Sequence, residues 1–333
     1  MPGPVTKNMF TTTTKYFLVI TLLLAIIVSS CEGFFLNNNI SPTAPKTVPE
    51  NVKLLILPGF GNDSVDYTMP SSLVDSLKER GWSDDQIRVL PVERKDWLQV
   101  FLRGALDYKF WLATAEPTRP AFRWYLDRIA AEIDALEDGE KMVLVGHSAG
   151  GWLGRAAIGF GSEEEGATEV DLNRVAGLVS LGAPHLPPPE GVMDMTRGAL
   201  RITNERFPGS YHAPSMFYVT AIGLSIVGKK QERSSPLEPT SVDGFAFNSY
   251  EAVCGDGTAI GDGVVPQCAS HLDNAIQLDL DGVYHSINRL DKWYGATDIL
   301  DSWHQPMLKE LSSRTSSRQP ISQPFAAFFN TQS

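Results

Sequence analysis

MVLVGHSAGGW, residues 142–152, is an apolar run that stops at a glycine, offers a serine between small residues and then turns amphipathic. A continuous apolar run closed by turn residues reads as a strand buried on both faces, and the pattern after it reads as a helix. A strand, a sharp turn carrying Gly146, Ser148 and Gly150, and then a helix form the setting of a nucleophile elbow. The glycines have a physical reason there. The serine must take a strained, positive-φ conformation, and a side chain two positions away on either side would collide with the neighbouring strand or helix. The turn then lifts Ser148 Oγ to the helix N-terminus, where the dipole and unused N–H groups favour an oxyanion. The plainer alternative is a Gly-rich turn without chemistry.

Outward from this stretch, the chain alternates between the two patterns. VKLLILPG, QIRVLPV, KMVLVG, VAGLVSLGAPH, MFYVTAIG and AIQLDL read as strands. SSLVDSLKERG, AFRWYLDRIAAEIDAL, AGGWLGRAAIGF and a C-terminal stretch around DSWHQPMLKEL read as helices. Buried strands separated by helices predict an α/β domain over 51–315, a mostly parallel sheet with helices on both faces. Two stretches break the rhythm: 185–212, a candidate lid insertion, and 228–262, a long polar loop. Loops of this length in a compact domain are usually functional or disordered. A polar tail follows over 316–333.

The chain has 333 residues, 43% of them hydrophobic, and a formal net charge of −11. That charge repels polyphosphate backbones, so nucleic acid is not an expected partner. At the N-terminus Lys7 and Lys15 precede the apolar YFLVITLLLAIIVSS. Residues 1–33 therefore read as a secretory signal peptide, or as a signal anchor if uncleaved. Residues 34–50 read as a linker, rich in hydroxyl and amide side chains, that also has the look of a transit peptide. Entry into the secretory pathway is expected; delivery to a plastid through a two-part presequence is the alternative. Cys254 and Cys268 remain once a presequence is removed, and in an oxidising compartment they are a candidate disulfide, against two free thiols.

A serine needs a base. Of six histidines, His147 lies inside the elbow and must project away from Ser148, while His185, His212 and His271 come too early in the chain. His285 follows the last strand, in the order serine, acid, histidine; His304, in a helix start, is the runner-up. The acid belongs after the penultimate strand. Asp262, between glycines and before Val264–Val265–Pro266, fits a carboxylate held at a tight bend, with Asp256 its rival. One oxyanion donor is the backbone of Ala149. The other belongs to the loop after the first strand, where Gly59 and Gly61 let Phe60 N–H come close.

Together LPGFG (57–61), GHSAGG (146–151), LGAPH (181–185), GDGVVPQCASH (261–271) and YHSINR (284–289) resemble the α/β-hydrolase superfamily, within it the lipase branch and the GPI inositol-deacylase-like esterases. Pro58 stands where the lipase oxyanion motif usually carries His. The resemblance implies an α/β-hydrolase fold and a serine ester hydrolase acting on a lipid-like carboxylic ester through an acyl-enzyme, with Ser148, Asp262 and His285 as its triad. It implies no cofactor, and no ligand set for the calcium of some bacterial lipases is visible, so no metal is expected. A lipid or other apolar ester is the expected substrate, and a membrane or lipid surface the expected setting. An acyltransferase or thioesterase using the same triad, or a silent fold kept for binding, are the alternatives.

Overall fold

The computed structural model describes residues 48–161, 169–232, 238–287 and 291–316. The expected presequence, most of the 34–50 linker and the tail beyond 316 lie outside the described residues. The strands are Val52–Leu57 (β1), Ile87–Val89 (β2), Lys141–His147 (β3), Val175–Leu181 (β4), Phe217–Leu224 (β5), Ile226–Val227 (β6), Ile260–Gly261 (β7) and Ile276–Asp281 (β8). The helices are Leu73–Lys78 (α1), Leu98–Gly104 (α2), Tyr108–Trp111 (α3), Pro120–Asp134 (α4), Ala149–Gly161 (α5), Ala199–Arg206 (α6), Val242–Cys254 (α7) and Thr297–Ser316 (α8). Six strands form one sheet in the order β2-β1-β3-β4-β5-β8, with every neighbouring pair parallel. These are the six strands read from the sequence. β6 and β7 make a separate antiparallel ladder.

β1 is buried at every residue because each face of the sheet carries its own core. Leu55, Leu57, Leu144 and Leu178 pack with Tyr125, Ile129 and Leu153 of α4 and α5. Leu54, Ile56, Val143 and Val179 pack with Leu77 of α1 and Trp303 and Met307 of α8. β8, at the sheet edge, instead alternates: Ile276, Leu278 and Leu280 lean on the second core, while Gln277, Asp279 and Asp281 face outward. Charged residues on such an edge discourage pairing with another chain.

One departure from the sequence reading concerns the insertions. The 228–262 stretch is not one long loop, since α7 lies inside it. Ser241 caps that helix by accepting Gly244 N–H at 3.1 Å, and Gly255 closes it at φ 78°. Its helical pattern is hard to see because only Gly244, Ala246 and Tyr250 are buried on it. The 185–212 segment is fixed to the body of the protein through α5. Buried Arg155 donates to His185 O at 2.9 Å, Asn204 Oδ1 at 2.9 Å and Phe207 O at 2.7 Å. The Phe207 ring meets Phe160 edge-on at 5.1 Å. It also fills the space beside Gly159, where a Cβ would lie 2.4 Å from it.

Phe207→Ala is therefore expected to cost about 3–5 kcal/mol, the range for an emptied aromatic site. Urea unfolding reads the loss, and amide exchange across 199–207 should quicken with it. A loss under about 1 kcal/mol would show that the ring does not hold the insertion.

Candidate active site

β3 ends at His147 and α5 begins at Ala149, so Ser148 alone makes the turn. Its φ is +53°, the left-handed region that a non-glycine residue occupies only under constraint. The constraint is visible: Ser148 N–H donates to Leu181 O of β4 at 2.9 Å, and Gly151 N–H donates to Ser148 O at 3.0 Å. The crossing tolerates no side chain. A Cβ on Gly146 would come within 2.5 Å of Gly151, and one on Gly150 within 2.1 Å of the Leu57 carbonyl of β1. Neither position has room for a side chain.

Asp262 and His285 are brought together. β6 and β7 fold the chain back after β5, which sets Asp262 against the ends of β4 and β5: a Cβ on Gly182 would meet Asp262 Oδ2 at 2.6 Å. His285 Nδ1 lies 2.7 Å from Asp262 Oδ2, and His285 N–H donates to Asp262 O at 3.0 Å. The carboxylate, 1% exposed, is fully engaged. Its Oδ1 accepts the N–H groups of Val264 at 3.0 Å and Val265 at 2.8 Å, and Oδ2 also accepts the Tyr294 hydroxyl at 2.7 Å. Four donors around one buried carboxylate leave neither of its oxygens unpaired. Because Nδ1 faces Asp262, the Nε2 of His285 is the nitrogen turned away from it.

A second network, absent from the sequence reading, joins the Gly59–Gly61 loop to His285. The Tyr67 hydroxyl accepts Gly59 N–H at 3.0 Å and the Asn62 amide at 2.9 Å. Its own proton is then directed to His147 Nδ1, 2.8 Å away. His147 Nε2 lies 3.0 Å from the His285 carbonyl, which can only accept, so His147 is neutral and protonated on Nε2. Burial agrees, pushing the His147 imidazole down to about 3. The loop itself is a tight turn: Asn62 N–H returns to Gly59 O at 3.1 Å, with Gly61 at φ 76°. Its backbone comes so near the elbow that a Cβ on Gly59 would lie 2.8 Å from Ser148 Cβ. Phe60 N–H has no hydrogen-bond partner among the described residues, and Ala149, as the first residue of α5, has no acceptor within its helix. The Phe60 ring packs on Trp97 at 5.0 Å and on Phe101 at 6.3 Å, an apolar wall beside the turn.

The other candidates lie elsewhere or do other work. His304 is buried in α8, and its Nε2 accepts Trp82 Nε1–H at 2.8 Å. Asp256 accepts Thr258 N–H at 2.8 Å in an exposed turn. His185 Nε2 meets Ser180 Oγ at 2.7 Å, deep in the core. Of the two readings of the cysteine pair, a disulfide or two free thiols, the structure has the second. Cys254 and Cys268 are free thiols, and Cys254 Sγ instead contacts Asp256 O at 3.7 Å. The two thiols are nonetheless neighbours: burial first, then the hydrogen bond with Cys254, push the Cys268 thiol up to about 12. Tyr67 and Tyr294 were not found from the sequence, because each is far along the chain from the residue it serves and no local motif marks it.

Two measurements test this arrangement. Tyr67→Phe removes the common partner of Gly59, Asn62 and His147, and a buried group left unpaired costs about 1–3 kcal/mol. The variant should lose more than about 2 kcal/mol in urea unfolding, and a neutral result would break the network apart. Acid stability is the second. Burial holds His147 at about 3, His304 at about 4 and His185 well below its usual value, so the folded protein leaves all three unprotonated where the unfolded chain protonates near 6.5. The unfolded state then binds more protons, and stability falls as the pH falls from about 6 to 4, by up to roughly 4 kcal/mol per pH unit for the three together. A melting temperature that stays flat from pH 7 to pH 5 would contradict this.

Among solved structures, the fold is similar to the lipase of Staphylococcus hyicus, at 12% identity and a TM-score of 0.49, covering 84% of this chain and 100% of that one. It is also similar to EstA from Clostridium botulinum, at 10% identity and 0.46, covering 88% and 97%. A third is lipase 1 from Pelosinus fermentans, at 11% identity and 0.43, covering 81% and 100%. No curated protein sequence matches the chain. The sequence model of the alpha/beta hydrolase family matches residues 54–251, from β1 through the elbow to α7, with Asp262 and His285 just beyond it. A match over more than half of its length, on this sheet, shows that the chain belongs to the alpha/beta hydrolase family.

Proposed function

We propose that this protein is a serine ester hydrolase that cleaves a lipid-like carboxylic ester through an acyl-enzyme. The observation that carries the reading is the pairing of His285 Nδ1 with the buried Asp262 carboxylate at 2.7 Å, in the loops beside the Ser148 turn. His285 Nε2 takes the Ser148 proton as Oγ attacks the carbonyl carbon. The oxygen that becomes negative is met by the N–H groups of Phe60 and Ala149, each worth on the order of a hundredfold in rate. The imidazolium then gives its proton to the departing alkoxide, and a water repeats the sequence to release the acid. Asp262 keeps its charge throughout, fixing the His285 tautomer and stabilising the imidazolium. The aromatic wall of Phe60, Trp97 and Phe101 offers an acyl chain an apolar surface.

A fluorophosphonate probe should label Ser148 in the folded protein and leave Ser148→Ala unlabelled. With p-nitrophenyl butyrate, His285→Ala and Asp262→Asn should each lower kcat by about a thousandfold or more, while His304→Gln stays near the parent. An unlabelled Ser148, or an active His285→Ala, would overturn the reading.

A further inference from the structure

The helical hairpin of α2 and α3 is built the wrong way round for a water-soluble surface. On α2, Val100 and Gly104 are the buried positions, and the hairpin turns the opposite stripe to solvent: Leu98 is 58% exposed, Leu102 68% and Leu106 90%. α3 and its end add Tyr108 at 66%, Trp111 at 54% and Leu112 at 67%. Leu98 and Leu102, at i and i+4, share one face of α2, and Leu106 stands exposed in the turn that follows it, so the three leucines lie within one short hairpin rather than as scattered exceptions. The hairpin is stiff. Phe110 covers Gly104, where a Cβ would lie 2.9 Å from its ring, and Trp111 Nε1–H donates to Ala105 O at 2.9 Å. These bonds hold the apolar groups out.

Charge says what covers them. In a chain with 39 acidic residues, the segment 97–115 contains one, Asp107. That carboxylate is 3% exposed and turned inward, capping α3 through Lys109 N–H and held by Arg119 at 2.5 and 2.8 Å. Arg103 is exposed on the same hairpin. Glu116, just beyond, is paired with Lys109 at 3.1 Å. A face that shows leucine, tryptophan and tyrosine, offers a cation and turns the one carboxylate of 97–115 inward has the composition of an element lying in a lipid headgroup layer, where aromatic and long basic side chains sit at the boundary. Its position agrees. Phe101, on the inner edge of the hairpin, meets Phe60 of the loop beside Ser148 at 6.3 Å.

We propose that the α2–α3 hairpin is a lipid-docking face, seated in the headgroup layer of an anionic lipid surface with Leu102, Leu106 and Trp111 inserted, so that an ester reaches Ser148 from the surface without crossing water. The inference rests on the ester-hydrolase reading for its substrate, but docking is measurable without turnover. In the full chain with its three cysteines replaced by serine, an environment-sensitive fluorophore is attached through Leu106→Cys, or through Ser313→Cys on α8 at the opposite face of the sheet. Phosphatidylcholine vesicles containing phosphatidylglycerol should shift the emission of the first label to the blue and leave the second unchanged, with a weaker shift on phosphatidylcholine alone.

Each leucine transferred into lipid contributes about tenfold in partitioning. Leu98→Ser, Leu102→Ser and Leu106→Ser combined should therefore lower turnover of a vesicle-borne ester by more than about tenfold, while turnover of soluble p-nitrophenyl butyrate stays the same. A label at 106 that remains in water on both vesicles, or an equal shift at 313, overturns the proposal. Shielding at 106 that grows with protein concentration in the absence of lipid assigns the face to a second copy of the chain and overturns it as well. A Ser148→Ala variant that still hydrolyses the soluble ester would remove the catalytic reading and leave the labelling result intact.

Discussion

The structure turns on one close approach: the backbone of α5 passes the end of β1 so tightly at Gly150 that a Cβ would sit 2.1 Å from the Leu57 carbonyl. That approach is what forces the chain to reverse within a single residue after β3. Ser148 takes the strained φ of +53° as a result, a conformation that costs on the order of 1–3 kcal/mol and persists only where its surroundings leave no alternative. Those surroundings are the parallel pairing of β1 with β3 and of β3 with β4, both buried on two faces. Relaxing Ser148 would mean moving α5 off the sheet, and with it Trp152, Leu153 and the Arg155 bonds that hold the 185–212 segment. The serine is aimed because the core has nowhere else to put it.

The polar part of the site follows a different logic. A buried carboxylate and a buried imidazole are each costly if left unpaired, yet Asp262 has four donors and His147 has a partner on each nitrogen. Satisfaction is bought with tyrosines: Tyr67 and Tyr294 each accept one backbone N–H and donate one proton inward. Other buried groups are less fully paired. Arg155 Nε, His185 Nδ1, His304 Nδ1 and Trp293 Nε1 have no hydrogen-bond partner among the described residues, the last of them beside the rings of Tyr67 and His147.

How much of this was legible depended on whether the signal is local. The six sheet strands could be read because burial on both faces leaves a continuous apolar run, and Ser148 because its strain needs glycines at fixed offsets. The pairing of Asp262 with His285 could be anticipated from chain order and from the glycines around Asp262. The helix α7 was not, because its one thin buried stripe lies within a polar, Gly-containing segment. Tyr67 and Tyr294 were invisible for a deeper reason. Tyr67 serves His147 from 80 positions away and Tyr294 serves Asp262 from 32, and a tyrosine in a sequence does not say whose proton it holds. The thiols could not be decided from spacing, which allowed both a bond and two free thiols, and the structure keeps them as neighbours without a bond.

The Gly59–Gly61 loop is where these parts meet. On one side Tyr67 ties it through His147 to the carbonyl of His285. On the other, Tyr125 donates to Pro58 O at 2.7 Å, Trp97 donates to Asn62 O at 3.1 Å, and Phe60 packs on Phe101 of the exposed hairpin. The loop therefore cannot shift toward or away from Ser148 without disturbing either the His285 loop or the aromatic wall. Pro58 brings no side-chain donor to hold the loop. The Tyr67–His147 chain supplies that restraint from the far side. A single tyrosine hydroxyl thus couples the group that would bind an oxyanion to the group that would move the proton.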